Sequence, residues 1–193
     1  MKRIYFDKIV TAVGFGLAVF LVIAAGLLNW GATFAADAVG SQLEAQAITL
    51  PAETGNKKES AEVTAFFKEN GEKIMTTGKQ AQMYADHYLG FHLSAMPAYA
   101  AASGANRAAA AALAANPNDP TLKADAAAKA GIVETVFKGT MLRGTLLTAY
   151  AFGTLGSIAA IAALVSLAGA GVMLLLSILG LLHIRRTPKD VTI

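Results

Sequence analysis

The chain has 193 residues, of which 55% are apolar and 15% are charged, and its mean hydropathy is +0.49. This composition is too hydrophobic for an ordinary soluble domain and is typical of a membrane protein. The formal net charge is only +3, and there is no cysteine. Disulfides and thiolate metal sites are therefore excluded, and no basic patch of the kind that binds nucleic acid is expected.

Two long stretches, residues 9–36 and 144–184, contain no Asp, Glu, Lys or Arg. About 20 apolar residues are enough to cross the roughly 30 Å hydrocarbon core of a bilayer. The first stretch therefore predicts a transmembrane helix at residues 9–30, with Trp30 at an interface. A signal peptide cleaved among the small residues near 33–36 is the alternative, although its apolar region is ordinarily only about 7 to 15 residues long.

Basic residues lie on the terminal side of both stretches. Lys2, Arg3 and Lys8 stand before the first, and Arg185, Arg186 and Lys189 stand after the second. Residues 29–143, by contrast, hold ten basic and eleven acidic side chains, a net charge of −1. Since Lys and Arg beside membrane segments favour the cytoplasm, we expect cytoplasmic ends at 1–8 and 185–193 in the plasma membrane. Residues 31–143 are then an extracytoplasmic helical domain.

The second uncharged stretch is about twice as long as one crossing requires. Two cytoplasmic ends need an even number of crossings, so we place one transmembrane helix at residues 163–184. Residues 144–162 become an apolar helical overhang that carries Tyr150 and Phe152. An apolar helix does not remain bare in water. We expect it to pack on an extension of the first helix, on the face of Tyr84 and Tyr88, or on another protein.

The middle of the chain carries several helix signals. The first helix is expected to continue toward Ala47, before Pro51. Ser60 can cap a short helix that runs through Glu69 and ends at Gly71. Thr77 can cap a longer helix from Gly78 to about Ala95. On that helix Ala81, Tyr84, Tyr88 and Phe91 recur at spacings of three and four, which predicts one common face.

The last helix has a clear start. Asp119 is a suitable N-cap and Pro120 occupies the favoured first position, after an alanine-rich stretch, 98–115, of high helix propensity. No proline interrupts residues 121–183, so one helix of some 60 residues and a helix bent at its glycines are both compatible with the sequence. The fold class predicted is an all-α membrane protein, in which two long transmembrane helices extend into an extracytoplasmic helical bundle.

Small residues on the membrane helices predict close helix packing. Gly14 and Ala18 in the first, and Ala162, Ser166 and Ala170 in the second, recur every four residues. They can pack the two helices on each other or on helices of a larger complex. The candidate packing or partner contacts are Gly14, Ala18, Trp30, Tyr84, Tyr88, Tyr150, Phe152, Ala162, Ser166 and Ala170.

No catalytic, cofactor-binding or metal-binding residue is predicted. His87 and His92 are five residues apart, which turns the two imidazoles by roughly 140° to different helix faces. Gly78-Lys79 resembles the end of a phosphate loop, but Gln80 stands where Ser or Thr would hold magnesium. Neither predicted membrane segment has an ionisable residue in its interior, which a transporter or proton pump normally requires.

Three blocks resemble a family of two-span membrane proteins common in actinobacteria. They are AGLLNWGATF (25–34), TTGKQAQMYADHYLGFHL (76–93) and FKGTMLRGTLLTAYAFGTLG (137–156), about a quarter of the chain. Many members are labelled aromatic ring-opening dioxygenases. Such enzymes need an iron site of two histidines and a carboxylate, whereas this chain has three histidines, and His183 is expected across the membrane from the other two.

The family is also similar to a small accessory subunit of the actinobacterial cytochrome bcc and cytochrome oxidase supercomplex. The resemblance implies a non-catalytic structural role, with membrane lipids and other membrane subunits as partners and no cofactor of its own. It transfers no active-site residue, because the three blocks are not catalytic motifs. The alternative is a free-standing envelope protein that binds a lipid or small apolar ligand among its extracytoplasmic helices.

Overall fold

The computed structural model describes residues 3–188. Within that range the chain forms α1 (Arg3–Gln46), α2 (Ala61–Asn70), α3 (Gly78–Met83), a π-helical segment (Tyr84–Leu89), α4 (Gly90–Ser94), α5 (Tyr99–Ala115) and α6 (Pro120–Arg186). The described residues contain no β-strand, and a single antiparallel bridge joins Thr49 and Ile74. The all-α prediction is confirmed, and α1 and α6 are each long and apolar enough to cross a membrane.

The chain divides into two compact units. The first, here called the helix pair, comprises residues up to 37 of α1 and residues from 154 onward of α6. The second, the helical domain, comprises residues 38–153. The overhang predicted at 144–162 is thus divided between the two units. α6 is a single helix of 67 residues, which answers whether its glycines interrupt it.

The helix pair is antiparallel, and its buried seam follows a heptad spacing. On α1 the seam positions are Ile4, Asp7, Thr11, Gly14, Ala18, Leu21, Ala25, Leu28, Ala32 and Ala35, all buried or half-buried. On α6 they are Gly156, Ala159, Ala163, Ser166, Ala170, Met173, Ser177, Gly180 and Ile184. The alternating steps of three and four are those of two helices that coil around each other. Mostly small side chains bring the two backbones close together.

Contacts at the glycines fix the register of this pair. A Cβ atom added at Gly180 would lie 2.6 Å from Thr11 Oγ1, and one added at Gly156 would lie 3.0 Å from Ala35 Cβ. Gly14 faces Ser177 so closely that no side chain fits between them. A residue of α1 and its neighbour on α6 therefore have numbers that sum to about 191. The first and last turns of the pair meet at the same end.

The helical domain is built on one apolar core. Its fully buried large side chains are Leu43, Leu50, Phe67, Met75 and Leu146. Leu146 comes from the predicted overhang, and Leu43 comes from the continuation of α1. Leu146 of the overhang is therefore covered within the chain, in a core to which the first helix also contributes. Partly buried Tyr84 and Tyr88 pack against the same core.

The helix caps follow the sequence signals. The Ser60 hydroxyl accepts the Val63 amide at 3.2 Å and starts α2, and Asp119 Oδ1 accepts the Thr121 amide at 2.8 Å before α6. The Thr77 hydroxyl accepts the Gln80 amide at 3.2 Å, while Gln80 Oε1 accepts the Thr77 amide at 3.0 Å. This reciprocal arrangement is a capping box. The TTGKQ sequence that resembled a phosphate loop is therefore a helix start.

The helix predicted from Gly78 to about Ala95 differs from expectation in its middle. Tyr84–Leu89 is π-helical, and an extra residue per turn shifts the side chains that follow it around the axis. Ala81 is fully buried, whereas Phe91 is 38% exposed and lies beside Gly55. The prediction that Ala81 and Phe91 share one buried face was wrong, because the spacing rule assumes 3.6 residues per turn throughout.

Candidate functional site

The π-helical segment is held by Arg143, the last charged residue before the uncharged stretch of α6. Arg143 Nε donates to the carbonyl oxygen of Ala85 at 3.1 Å, and its Nη2 donates to Asp86 Oδ1 at 2.8 Å. The Gly90 amide also donates to the Ala85 carbonyl, as the wider π turn requires. The planar guanidinium thus supports a backbone carbonyl and a carboxylate of the segment together.

Glu59 connects the loop before α2 to the same segment. Its Oε2 lies 3.1 Å from His87 Nδ1, and its Oε1 accepts from Asn56 Nδ2 at 3.2 Å. The Glu59 side chain is 13% exposed and that of His87 is 32% exposed. Asn56 itself is held by a hydrogen bond from its amide to Thr54 Oγ1 at 3.1 Å. Both carboxylate oxygens therefore have partners, and the loop is fixed to the helix.

Aromatic rings of the π-helical segment and of α4 lie next to one another. The rings of Tyr84 and Tyr88 stack with centroids 5.0 Å apart, and the His92 ring lies 4.4 Å from that of Tyr88. His92 Nδ1 lies 2.7 Å from the carbonyl oxygen of Tyr88, which it satisfies as a donor. Burial raises the pKa of the Tyr84 phenol above its ordinary value, and the neighbouring Tyr88 adds to the rise.

These contacts define what we call the π cluster: Glu59, Tyr84, Asp86, His87, Tyr88, His92 and Arg143. It joins the loop before α2, the π-helical segment and α6 of the helical domain. The histidines and carboxylates make specific hydrogen bonds, and within residues 3–188 no three His, Asp or Glu side chains form a metal-binding group. This geometry can hold a helix in an unusual shape.

A line of exposed apolar side chains lies on the outer side of the helical domain. Tyr99 is 49% exposed, Phe137 51%, Met141 56% and Phe152 56%. The rings of Tyr99 and Phe137 are 6.0 Å apart. Phe137, Met141 and Phe152 follow one another along α6, partly within the predicted overhang. We call these four residues the outer stripe. Phe137 and Met141 are about one helical turn apart, and Phe152 lies eleven residues beyond Met141. Exposed large apolar side chains can form an interaction surface.

The predicted contact residues fall into both units. Gly14, Ala18, Ser166 and Ala170 lie on the seam of the helix pair. Ala162 lies beside the seam, and Ala163, which is 6% exposed, occupies the seam position instead. The reason is that a coiled pair repeats every 3.5 residues on average, so a strict four-residue spacing drifts away from it.

Some of the predicted aromatic contact residues are packed against other residues, and others are exposed. Tyr84 and Tyr88 are brought together in the π cluster, and Tyr150 is half-buried where Gly78 meets α6. A Cβ atom on Gly78 would lie 3.1 Å from Tyr150 Cα. Phe152 is exposed in the outer stripe. Trp30 is 67% exposed in the helix pair and stacks on Phe34, with ring centroids 5.9 Å apart.

Sequence reasoning missed three members of the π cluster and one residue of the helix pair. Glu59, Asp86 and Arg143 were not assigned to any site. Asp7 lies on the seam, where its Oδ2 is buried 3.9 Å from Arg3 Nε and 3.8 Å from His183 Nε2. The position of Arg143 at the border of the uncharged stretch was a usable signal. No sequence signal indicated the π turn.

No protein-family model, no curated protein sequence and no solved structure matches this chain. What the structure supports by itself is an all-helical protein with two helices long enough to span a membrane.

Proposed function

We propose that the chain is a non-catalytic accessory subunit of an actinobacterial respiratory supercomplex of cytochrome bcc and cytochrome oxidase, anchored in the plasma membrane by α1 and α6. The three sequence blocks that resemble such a subunit suggest the partner. The outer stripe is the structural observation that supports a partner of any kind, because it leaves the apolar side chains of Phe137, Met141 and Phe152 exposed outside the core.

In this proposal both termini are cytoplasmic and residues 31–143 form an extracytoplasmic helical bundle. The register of the helix pair is consistent with it, since Asp7 and His183 lie 3.8 Å apart at one end. Two crossings would therefore put the two basic flanks on the same side. A periplasmic-type reporter fused after Asn116 is expected to be active, and activity of a cytoplasmic reporter there would contradict the arrangement.

The π cluster has a place in this function as a support for the partner surface. Arg143 follows Met141 on α6, so the side chain that fixes the π-helical segment also fixes the part of α6 that bears the stripe. A stripe on a rigid helix loses little conformational entropy when it binds. A rigid stripe is therefore better suited to one fixed partner surface in a larger complex than to many partners of different shape.

The proposal is tested by purification in mild detergent through a tag at Ile193. Haem absorbance of b- and c-type cytochromes is expected in the eluate, and its absence would contradict the respiratory partner. Paired variants then test the surface. Met141→Gln with Phe152→Gln is expected to lower the haem-to-protein ratio severalfold, because interface cores depend on a few buried apolar anchors.

The matched control changes two exposed residues of the helical domain away from the stripe, Lys68→Gln and Lys123→Gln. It is expected to retain the cytochromes. If the stripe variant and the control co-purify equal amounts, the stripe is not the contact surface. Thermal unfolding of each variant is measured alongside, so that misfolding is not mistaken for lost binding.

Ligand binding among the extracytoplasmic helices has less support. A cavity of about 530 Å³ in the helical domain is lined by residues 52–57 together with Thr64 and Phe67. An apolar ligand would meet Glu53, Asn56 and Lys57 there.

A further inference from the structure

One flank of the helix pair carries an apolar groove of about 380 Å³. Its walls and floor are formed by Ala18, Val19, Val22 and Ile23 of α1 and by Leu167, Ala170, Gly171 and Leu174 of α6. Ala18 and Ala170 are 5% and 4% exposed, so they form the floor. The groove exists because small residues at the seam leave a depression between larger neighbours on each side.

The heptad register shows which charged residues share this flank. In a coiled pair, residues separated by whole heptads keep the same position relative to the partner helix. Lys8 lies two heptads before Val22, and Arg185 lies two heptads after Gly171. Both side chains are exposed. Lys8 and Arg185 therefore flank the line of the groove at the basic end of the pair.

The remaining charges at this end lie elsewhere. Arg3 Nη2 is 3.5 Å from His183 Nε2, and neither residue is in heptad register with the groove. Asp7, on the seam, is the one acidic residue among 3–8 and 183–188, against the four basic residues Arg3, Lys8, Arg185 and Arg186. The net charge of these segments is +3 (four minus one), and the groove flank carries two of the positive charges. This charge suits an anionic headgroup.

The near end of the groove lies at about the depth of one leaflet. Eleven residues separate Lys8 from Val19 and Leu174 from Arg185, which is about 16 Å on a helix. Half of a hydrocarbon core of roughly 30 Å is about 15 Å. The groove extends from there to Ile23 and Leu167, about 22 and 27 Å along the helices from Lys8 and Arg185. An acyl chain whose headgroup lies at Lys8 and Arg185 therefore reaches the near end of the groove.

We propose that this flank binds one anionic glycerophospholipid, with its phosphate between Lys8 and Arg185 and an acyl chain in the groove. The inference rests on the membrane placement proposed above and is independent of the respiratory partner. It assigns different tasks to the two ends of one site. The basic pair selects the charge of the headgroup, and the groove holds the chain.

The selection of an anionic headgroup is tested by native mass spectrometry of the purified full chain in detergent. The protein is titrated with dioleoyl phosphatidylglycerol and, separately, with dioleoyl phosphatidylcholine. We expect the phosphatidylglycerol to bind more tightly. Lys8→Gln with Arg185→Gln is expected to weaken its binding by about thirtyfold, because each basic residue near a membrane surface contributes roughly 1 kcal/mol. Arg3→Gln with Arg186→Gln removes the same charge away from the groove and is expected to change the affinity by less than about threefold.

The groove is tested by Gly171→Leu, for which a Cβ atom meets no other atom within 4 Å. This variant is expected to weaken dioleoyl phosphatidylglycerol severalfold, whereas Ala168→Leu, at an exposed position outside the groove, is expected to have no effect. Equal weakening by the two charge variants, or equal affinity for the two lipids, would overturn the proposal. So would a Gly171→Leu protein that keeps its lipid but releases a protein partner, since the groove would then receive a helix.

Discussion

Arg143 and Asp86 form the ion pair that ties α6 to the π-helical segment, with 2.8 Å between Nη2 and Oδ1. The same guanidinium donates to the Ala85 carbonyl. We expect Arg143→Met to reduce the free energy of unfolding by about 1 to 2 kcal/mol, because a backbone acceptor and a carboxylate lose their partner while staying partly exposed. Thermal unfolding followed by circular dichroism measures this change.

Hydrogen exchange provides the local readout for this variant. Amides of residues 85–90 are expected to exchange faster in Arg143→Met, because the π turn loses its support. Lys138→Met is the control, since it breaks an exposed pair with Glu134 on the same helix. Its effect is expected to stay below about 0.5 kcal/mol. Equal effects of the two variants would show that Arg143 does not hold the segment.

Gly78 is expected to tolerate no side chain. A Cβ atom there would lie 3.0 Å from the Ala149 carbonyl oxygen and 3.1 Å from Tyr150 Cα, both of them backbone atoms of α6. Gly78→Val should therefore destabilise the helical domain by about 1 to 3 kcal/mol. Gly131→Ala is the matched control, because its Cβ meets no atom within 4 Å, and it should stabilise α6 by about 0.5 to 1 kcal/mol. Denaturant unfolding of both variants measures whether each change lowers or raises the free energy of unfolding.

The seam of the helix pair makes a similar prediction at Gly14. This glycine faces the buried Ser177 without room for a side chain, whereas Gly26 has no neighbour within 4 Å of its Cβ position. Gly14→Leu is expected to separate the helices and to lower the unfolding temperature of the detergent-solubilised chain, and Gly26→Leu is expected to leave it unchanged. A Gly14→Leu protein as stable as the Gly26 control would contradict the register.

Alkaline pH should weaken the helical domain through Tyr84. Burial and Tyr88 raise the pKa of this phenol in the folded chain above its ordinary value of 10.0. The folded chain therefore keeps the proton more tightly than the unfolded chain. This contribution to stability is complete below pH 10 and is lost as the pH rises through the folded pKa. The unfolding temperature should fall less steeply above pH 10 in Tyr84→Phe than in the unchanged chain or in a Tyr99→Phe control.

Much of the architecture follows from local sequence. The caps at Ser60, Thr77 and Asp119 define helix starts by side-chain hydrogen bonds to nearby amides, so they can be predicted without knowledge of the fold. The two uncharged stretches likewise predict long apolar helices from composition and length. The sequence also predicted that one face of the overhang needs a cover, and Leu146 is buried in the core.

Tertiary contacts decided the remaining features. The π turn at Tyr84–Leu89 is contacted by Arg143, more than fifty residues away, and no local pattern indicated it. The exact seam of the helix pair, with Ala163 inside and Ala162 beside it, is set by how two helices coil together. Length, charge and hydrophobicity thus determined which segments are helices. Only contacts between distant segments determined which faces meet and which remain open to a partner or a lipid.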